Sequence, residues 1–261
     1  MRAVNGMIRL WFGPHADAYV RHIPANAVTI LALCFGMTGL IFADQDRIAA
    51  AIGCVLIAAL LDACDGRVAR ATNSASRFGA ELDSLSDVVC FGAVPAFILY
   101  RWGLSAYGAI GWLACLSLAA AAALRLARFN VAVADQSRPS WMSHFFTGIP
   151  APGGAYLALL PVYAANSGAL SQAQAVVLAL FAVPVVSGLM VSTWPSFSAK
   201  AISRKAMRLL FVPSLLAAIF VAFGLFTTPW LTLTLCGALY LWTLPISKWR
   251  FDLHAGRDSA R

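Results

Sequence analysis

The stretch from Asp62 to Asp87 reads DACDGRVARATNSASRFGAELDSLSD and holds five of the chain's eleven acidic residues, together with three arginines. Asp62 and Asp65 are three apart, and Asp83 and Asp87 are four apart. On helices each pair shares a face. The connection over 72–78 is short, so the two helices are expected to be antiparallel neighbours whose acidic faces meet. Each such charge costs about 2.5–3.5 kcal/mol at membrane depth even on a lenient scale, and mutual repulsion adds to that. Protonation or bound cations relieve the cost. Two divalent cations would balance four carboxylates, and oxygen-only ligands favour Mg²⁺, Mn²⁺ or Ca²⁺ over zinc. Paired ions of this kind recur in phosphoryl chemistry, where they stabilise attacking and leaving oxygens together. Gly66 and Gly79 would let a ligand approach the backbone closely, and Arg70 suits bidentate contact with a phosphate. The alternatives are a water-lined ion path and plain interfacial charge. So many charged residues and glycines in so short a stretch argue against the second.

The elements that must position these residues are membrane helices. The chain has 261 residues, 61% of them hydrophobic and 11% charged, with a mean hydropathy of +0.77. A soluble domain carries roughly 25% charged residues, so the expectation is an all-α, polytopic membrane helical bundle. The net charge of +8 does not point to nucleic acid, because the basic residues lie between apolar runs. Six cysteines are scattered singly, without metal-ligand spacing or a disulfide framework. A spanning helix needs about 20 apolar residues. Eight segments qualify: 26–43, 48–69, 80–100, 106–129, 151–165, 173–191, 206–226 and 230–246. The fifth is short enough to be tilted or partly re-entrant. With the amino terminus inside, the outer loops hold only Arg47 and Arg101 of the nineteen Lys and Arg residues. That asymmetry places both termini in the cytoplasm. Residues 1–24 read as an interfacial segment rather than a cleaved leader, 25–192 as the catalytic core, 193–247 as a basic loop with two further membrane helices, and 248–261 as a cytoplasmic tail.

The order Asp62-x-x-Asp65-Gly66-x-x-Ala69-Arg70, then Gly79-x-x-x-Asp83-x-x-x-Asp87 after eight residues, resembles the signature of the CDP-alcohol phosphotransferase family at every fixed position. The family core has six helices, so the last two would be an extension. The resemblance implies that Asp62 and Asp83 bridge two divalent cations, Mg²⁺ or Mn²⁺. Asp65 would hold the first ion and Asp87 the second, with Asp87 also the general base. Gly66, Arg70 and Ser76 would contact the cytidine diphosphate portion of CDP-diacylglycerol, near Gly79. Asn26 and Thr29 resemble the family's Asn-x-x-Thr near the nucleotide, although Ala25 separates Pro24 from Asn26 where the family usually has Pro-Asn directly.

Four further stretches are similar to the bacterial branch of the family whose acceptor is L-serine: FGAELDSLSDVVCFGAVPA, LRLARFN (124–130), FTGIPAPGGA (146–155) and LMVSTWPSFSAK (189–200). The glycerophosphate-using branch usually has Pro and Lys where this chain has Ser84 and Val88. Arg125, Arg128 and Asn130 sit at the cytoplasmic membrane edge and suit the serine carboxylate; anchoring of a helix end is the bland alternative. The resemblance implies transfer of a phosphatidyl group at the cytoplasmic face of the cell membrane. Other acceptors (inositol, glycerol 3-phosphate, choline) and, in a different class, an ion-coupled transporter are the rivals. A transporter predicts acids spread through the membrane depth and inverted repeats, neither of which the sequence has. The family is commonly dimeric, which leaves room for a homodimer.

Overall fold

The computed structural model describes residues 16–71, 76–134, 145–197 and 218–258. They fold almost entirely into helices. Six are long and apolar enough to cross a membrane: Asn26–Asp44, Ile48–Val68, Phe78–Trp102, Leu104–Val131, Gln172–Val191 and Pro229–Lys248. The described residues divide into two compact units, Met1–Ile98 and Leu99–Arg261.

In the first unit, helix α1 (Ala16–Asp44) packs along nearly the whole of α2 (Ile48–Ala71). The turn between them closes with Arg47 N donating to Phe42 O at 2.8 Å and Asp46 in the left-handed region at φ 57°, a conformation Asp tolerates better than most residues. The Arg47 guanidinium sits 4.6 Å from the centre of the Phe42 ring. Small residues are buried on both helices: Ala32 and Ala43 on α1, Ala51 and Ala58 on α2. Small side chains let helix backbones approach closely, which drives association where lipid is as apolar as the core. Helix α3 (Arg77–Asp87) also packs on α1 and begins at Ser76, whose Oγ accepts from Gly79 N at 3.0 Å. The same span continues as a π-helical segment, Val88–Ala93, and then as α4 (Val94–Trp102). Single π turns are often found beside functional sites, and this one starts directly after Asp87.

In the second unit, a 3₁₀ turn, Leu104–Tyr107, leads into α5 (Gly108–Ala134). The expected fifth segment, 151–165, is built as two short helices, α6 (Ala151–Ala158) and α7 (Leu160–Asn166). The break falls before Pro161, which has no amide hydrogen to continue the ladder and whose ring crowds the preceding turn. Tyr163, Leu159 and Val162 are fully buried, so the irregular backbone is shielded from lipid by protein. Helix α8 (Gln172–Val191) opens with a capping box between Ser171 and Gln174. Helix α9 (Ala218–Thr227) is the described part of the expected seventh span, 206–226. The rest of that span, like residues 1–15 of the expected interfacial segment, lies outside the described residues. Helix α10 (Pro229–Asp258) runs through the position where a tail was expected to begin.

Outside the helical expectation, the described residues include a three-residue antiparallel ladder, β1 (Phe145–Thr147) against β2 (Pro195–Phe197). Gly148 follows at φ 79°, and its N–H donates to Trp194 O at 2.8 Å. A Cβ there would collide with the Met190 carbonyl, so both conformation and space require glycine. Helix α10 is fastened to this region and to α6: Trp194 Nε1 donates to Leu244 O at 3.1 Å, the Lys248 ammonium lies 4.3 Å from the centre of the Trp194 ring, and Tyr156 OH donates to Leu233 O at 2.6 Å.

Candidate active site

The acidic faces predicted to meet do so within the first unit. One carboxylate oxygen each from Asp62, Asp83 and Asp87 lie within 4.8 Å of one another, and all three residues are half-buried. Asp65 lies close enough to Asp62 and Asp83 to repel both. Helix α2 carries the first pair and α3 the second, and both helices lean on α1. At an effective dielectric of about 20, two charges 4.8 Å apart repel by about 3.5 kcal/mol, and closer ones by more. Four ionised carboxylates therefore need a compensating positive charge.

The donor set fits a hard divalent cation. It is all carboxylate oxygen, and Asp83 Oδ1 is buried with no hydrogen-bond donor against it. A buried carboxylate oxygen without a partner loses its hydration for nothing in return, unless an ion takes that place.

The remaining residues predicted from sequence fall into two groups. In the first unit, Thr29 Oγ1 donates to Asp65 Oδ2 at 2.8 Å, and both residues are buried. A Cβ added to Gly79 would lie 3.0 Å from Asn26 Oδ1 and 3.2 Å from Ser76 Oγ. Asn26, Ser76 and Gly79 thus form one tight group at the start of α3, and Ser76 spends one lone pair on capping that helix. Gly66 is open on its outer side, with only the Arg70 Nη1 approaching, at 3.9 Å from where a Cβ would stand. Arg70 is exposed one turn beyond it. That open backbone beside a guanidinium is the arrangement a phosphate needs.

The second group, Arg125, Arg128 and Asn130, belongs to the second unit, on the last turns of α5. Arg125 and Asn130 are half-buried and Arg128 is exposed. Arg128 Nη1 donates to the carbonyl of Val191 at 2.6 Å, which ties the end of α5 to the end of α8. Tyr240 of α10 lies near enough to Arg125 to interact with its charge. Sequence reasoning missed two contributors. The hydrogen bond from Thr29 to Asp65 spans 36 positions and has no local signal. The π-helical segment after Asp87 lies in a uniformly apolar run, where periodicity cannot register one extra residue per turn.

A sequence model of CDP-alcohol phosphatidyltransferases matches residues 22–194. Among curated relatives, the CDP-diacylglycerol–serine O-phosphatidyltransferase of Mycobacterium tuberculosis (strain ATCC 25618 / H37Rv) is 45% identical over 130 residues, 50% of this chain and 45% of the relative. The protein of the same name from Helicobacter pylori (strain ATCC 700392 / 26695) is 35% identical over 174 residues, 66% of this chain and 71% of the relative. That of Saccharomyces cerevisiae (strain ATCC 204508 / S288c) is 40% identical over 116 residues, 44% of this chain and 41% of the relative. The chain spans about half the length of the mycobacterial relatives it matches. The matched region contains the whole acidic signature and six of the expected spans. With its apolar helices and convergent carboxylates, the chain is a multi-pass membrane protein, and it belongs to the CDP-alcohol phosphatidyltransferase family.

Proposed function

We propose that this protein transfers the phosphatidyl group of CDP-diacylglycerol to L-serine, giving phosphatidylserine and CMP. The observation that carries the reading is the convergence of Asp62, Asp83 and Asp87 within 4.8 Å, on helices of a chain whose curated relatives bear the name of that reaction. Asp62, Asp65, Asp83 and Asp87 would hold two divalent cations, Mg²⁺ or Mn²⁺. When bound, such ions neutralise a diphosphate and make its phosphorus more electrophilic.

The chain's own residues do the rest. Gly66 leaves room for the diphosphate at the α2 backbone, and Arg70 holds a phosphate oxygen. Asn26, Ser76 and Gly79 form the wall for the nucleotide. Asp87 orients the serine hydroxyl and takes its proton late in the reaction. A new bond forms from the serine oxygen to the phosphorus that carries diacylglycerol. The bond from that phosphorus to CMP breaks, and CMP leaves with the electron pair. Arg125 and Arg128, with Asn130, would hold the serine carboxylate, which a guanidinium fork matches in shape. Phosphatidylserine stays in the bilayer.

The proposed topology has eight spans, both termini in the cytoplasm and the acidic cluster at the inner face of the cell membrane. The distribution of arginine and lysine supports it. Reporters fused to each terminus should both read as cytoplasmic; one outside would overturn the even count.

The deciding experiment supplies purified protein with CDP-diacylglycerol and, in separate arms, L-serine, inositol, glycerol 3-phosphate or choline, each with Mg²⁺ and with Mn²⁺. CMP release only in the serine arms is the expected result. Release with another alcohol keeps the chemistry and replaces the acceptor. No release in any arm, with either ion, refutes the enzyme.

A further inference from the structure

We propose that Thr29 is a positioning residue for the metal ligand Asp65, and that through it the first helix sets the site's affinity for divalent cations. The inference rests on the metal reading above, and it differs from the nucleotide contact that the Asn-x-x-Thr resemblance implies. Thr29 Oγ1 donates to Asp65 Oδ2 at 2.8 Å, with 4% and 7% of the two residues exposed. A threonine side chain has one O–H to give, and an ionised carboxylate only accepts. Thr29 gives a hydrogen-bond proton to Asp65 here.

The consequence lies in how Asp65 is held. The oxygens of Asp62, Asp83 and Asp87 form the tight trio, and Asp65 stands beside it. With Oδ2 held by Thr29, rotation of the Asp65 carboxylate is restricted, which fixes the direction in which its remaining lone pairs face. The anchor is stiff. Threonine is β-branched with restricted χ1, and α1, which carries Thr29, packs along α2, which carries Asp65. Hydrogen bonds to ligating carboxylates orient them, and losing one typically weakens metal binding 10–100-fold.

The test measures Mn²⁺ binding to the purified full-length protein without lipid substrate, by electron paramagnetic resonance of free Mn²⁺. Thr29→Val removes the hydroxyl at nearly constant volume, and Thr29→Ser keeps it. Thr29→Val should bind Mn²⁺ about 10–100-fold more weakly, and Thr29→Ser should stay close to wild type. In an Asp65→Asn background the Thr29→Val effect should vanish. Should the valine variant fail to fold, Thr29→Ala against Thr29→Ser gives the same comparison. Unchanged Mn²⁺ affinity with a raised KM for CDP-diacylglycerol would overturn the proposal and return Thr29 to the nucleotide. A wild-type protein that binds no Mn²⁺ would instead remove the metal reading itself.

Discussion

The close approach of α1 to the π-helical segment offers a sharp test of how the site is held. A Cβ on Gly36 would lie 2.6 Å from Cys90 Sγ but 3.4 Å from Cys90 Cβ. Ordinary contact between such atoms is about 3.5–4.0 Å, so Gly36→Ala forces the helices apart by about 1 Å or pushes the thiol out of its place. Overpacking of this kind costs about 1–3 kcal/mol. The Cys90 thiol also donates to Ala32 O at 3.5 Å, so its displacement loses a weak hydrogen bond as well. For a chain of this size 1 kcal/mol corresponds to about 2–4 °C. Gly36→Ala should therefore lower the melting midpoint, followed by tryptophan fluorescence in detergent, by about 2–12 °C. Cys90→Ala removes the obstructing sulfur and leaves the new methyl facing a Cβ at 3.4 Å. In the double variant, Gly36→Ala should cost less than it does alone, a favourable coupling of about 0.5–3 kcal/mol. Because the segment begins next to Asp87, CMP release should fall in Gly36→Ala and partly recover in the double variant. Gly36→Ala as stable as wild type, or strictly additive costs, would refute the account of this contact.

Other expectations follow from single residues. Asp87→Asn keeps the shape but cannot take a proton, so turnover should be abolished while CDP-diacylglycerol binding stays measurable; retained CMP release would remove Asp87 as the base. Chelation by EDTA should stop CMP release, and Mg²⁺ or Mn²⁺ should restore it; activity surviving exhaustive chelation would contradict the two-ion reading. Arg128→Ala loses the bond to Val191 O and should cost about 1 kcal/mol of stability; if Arg128 also holds serine, KM for serine rises while KM for CDP-diacylglycerol stays put. Gly148→Ala should lower the midpoint by about 2–12 °C, because positive φ and the Met190 carbonyl both oppose a side chain.

Much of the site was legible because helical spacing is a strong constraint. Residues three and four apart share a face whatever surrounds them, so Asp62 with Asp65 and Asp83 with Asp87 were placed without coordinates. Their meeting followed from the short connection. The hydrogen bond from Thr29 to Asp65 was not legible, because its partner comes from another helix and the sequence carries no sign of rotational setting. The partner of Arg128 is a backbone carbonyl, which every residue has, so nothing singled out Val191. The ladder of β1 and β2 joins segments about fifty positions apart in only three pairs, too few for alternation to announce. For the fifth segment, the apolar run of fifteen residues was read as short enough to be tilted or partly re-entrant, and a count by hydropathy does not register Pro161. That count favours length, whereas the backbone broke where proline could not donate.

The paired short helices α6 and α7 bear on how far the chain can be shortened. Sixteen residues at 1.5 Å each reach about 24 Å, less than the roughly 30 Å of hydrocarbon in a bilayer. Their side chains are covered by α5, α8 and α10 rather than by lipid. The segment thus depends for its cover on α8 and α10, which follow it in the chain. A chain truncated after Asn166 should leave this segment accessible to water-soluble labels, and the full-length chain should hide it.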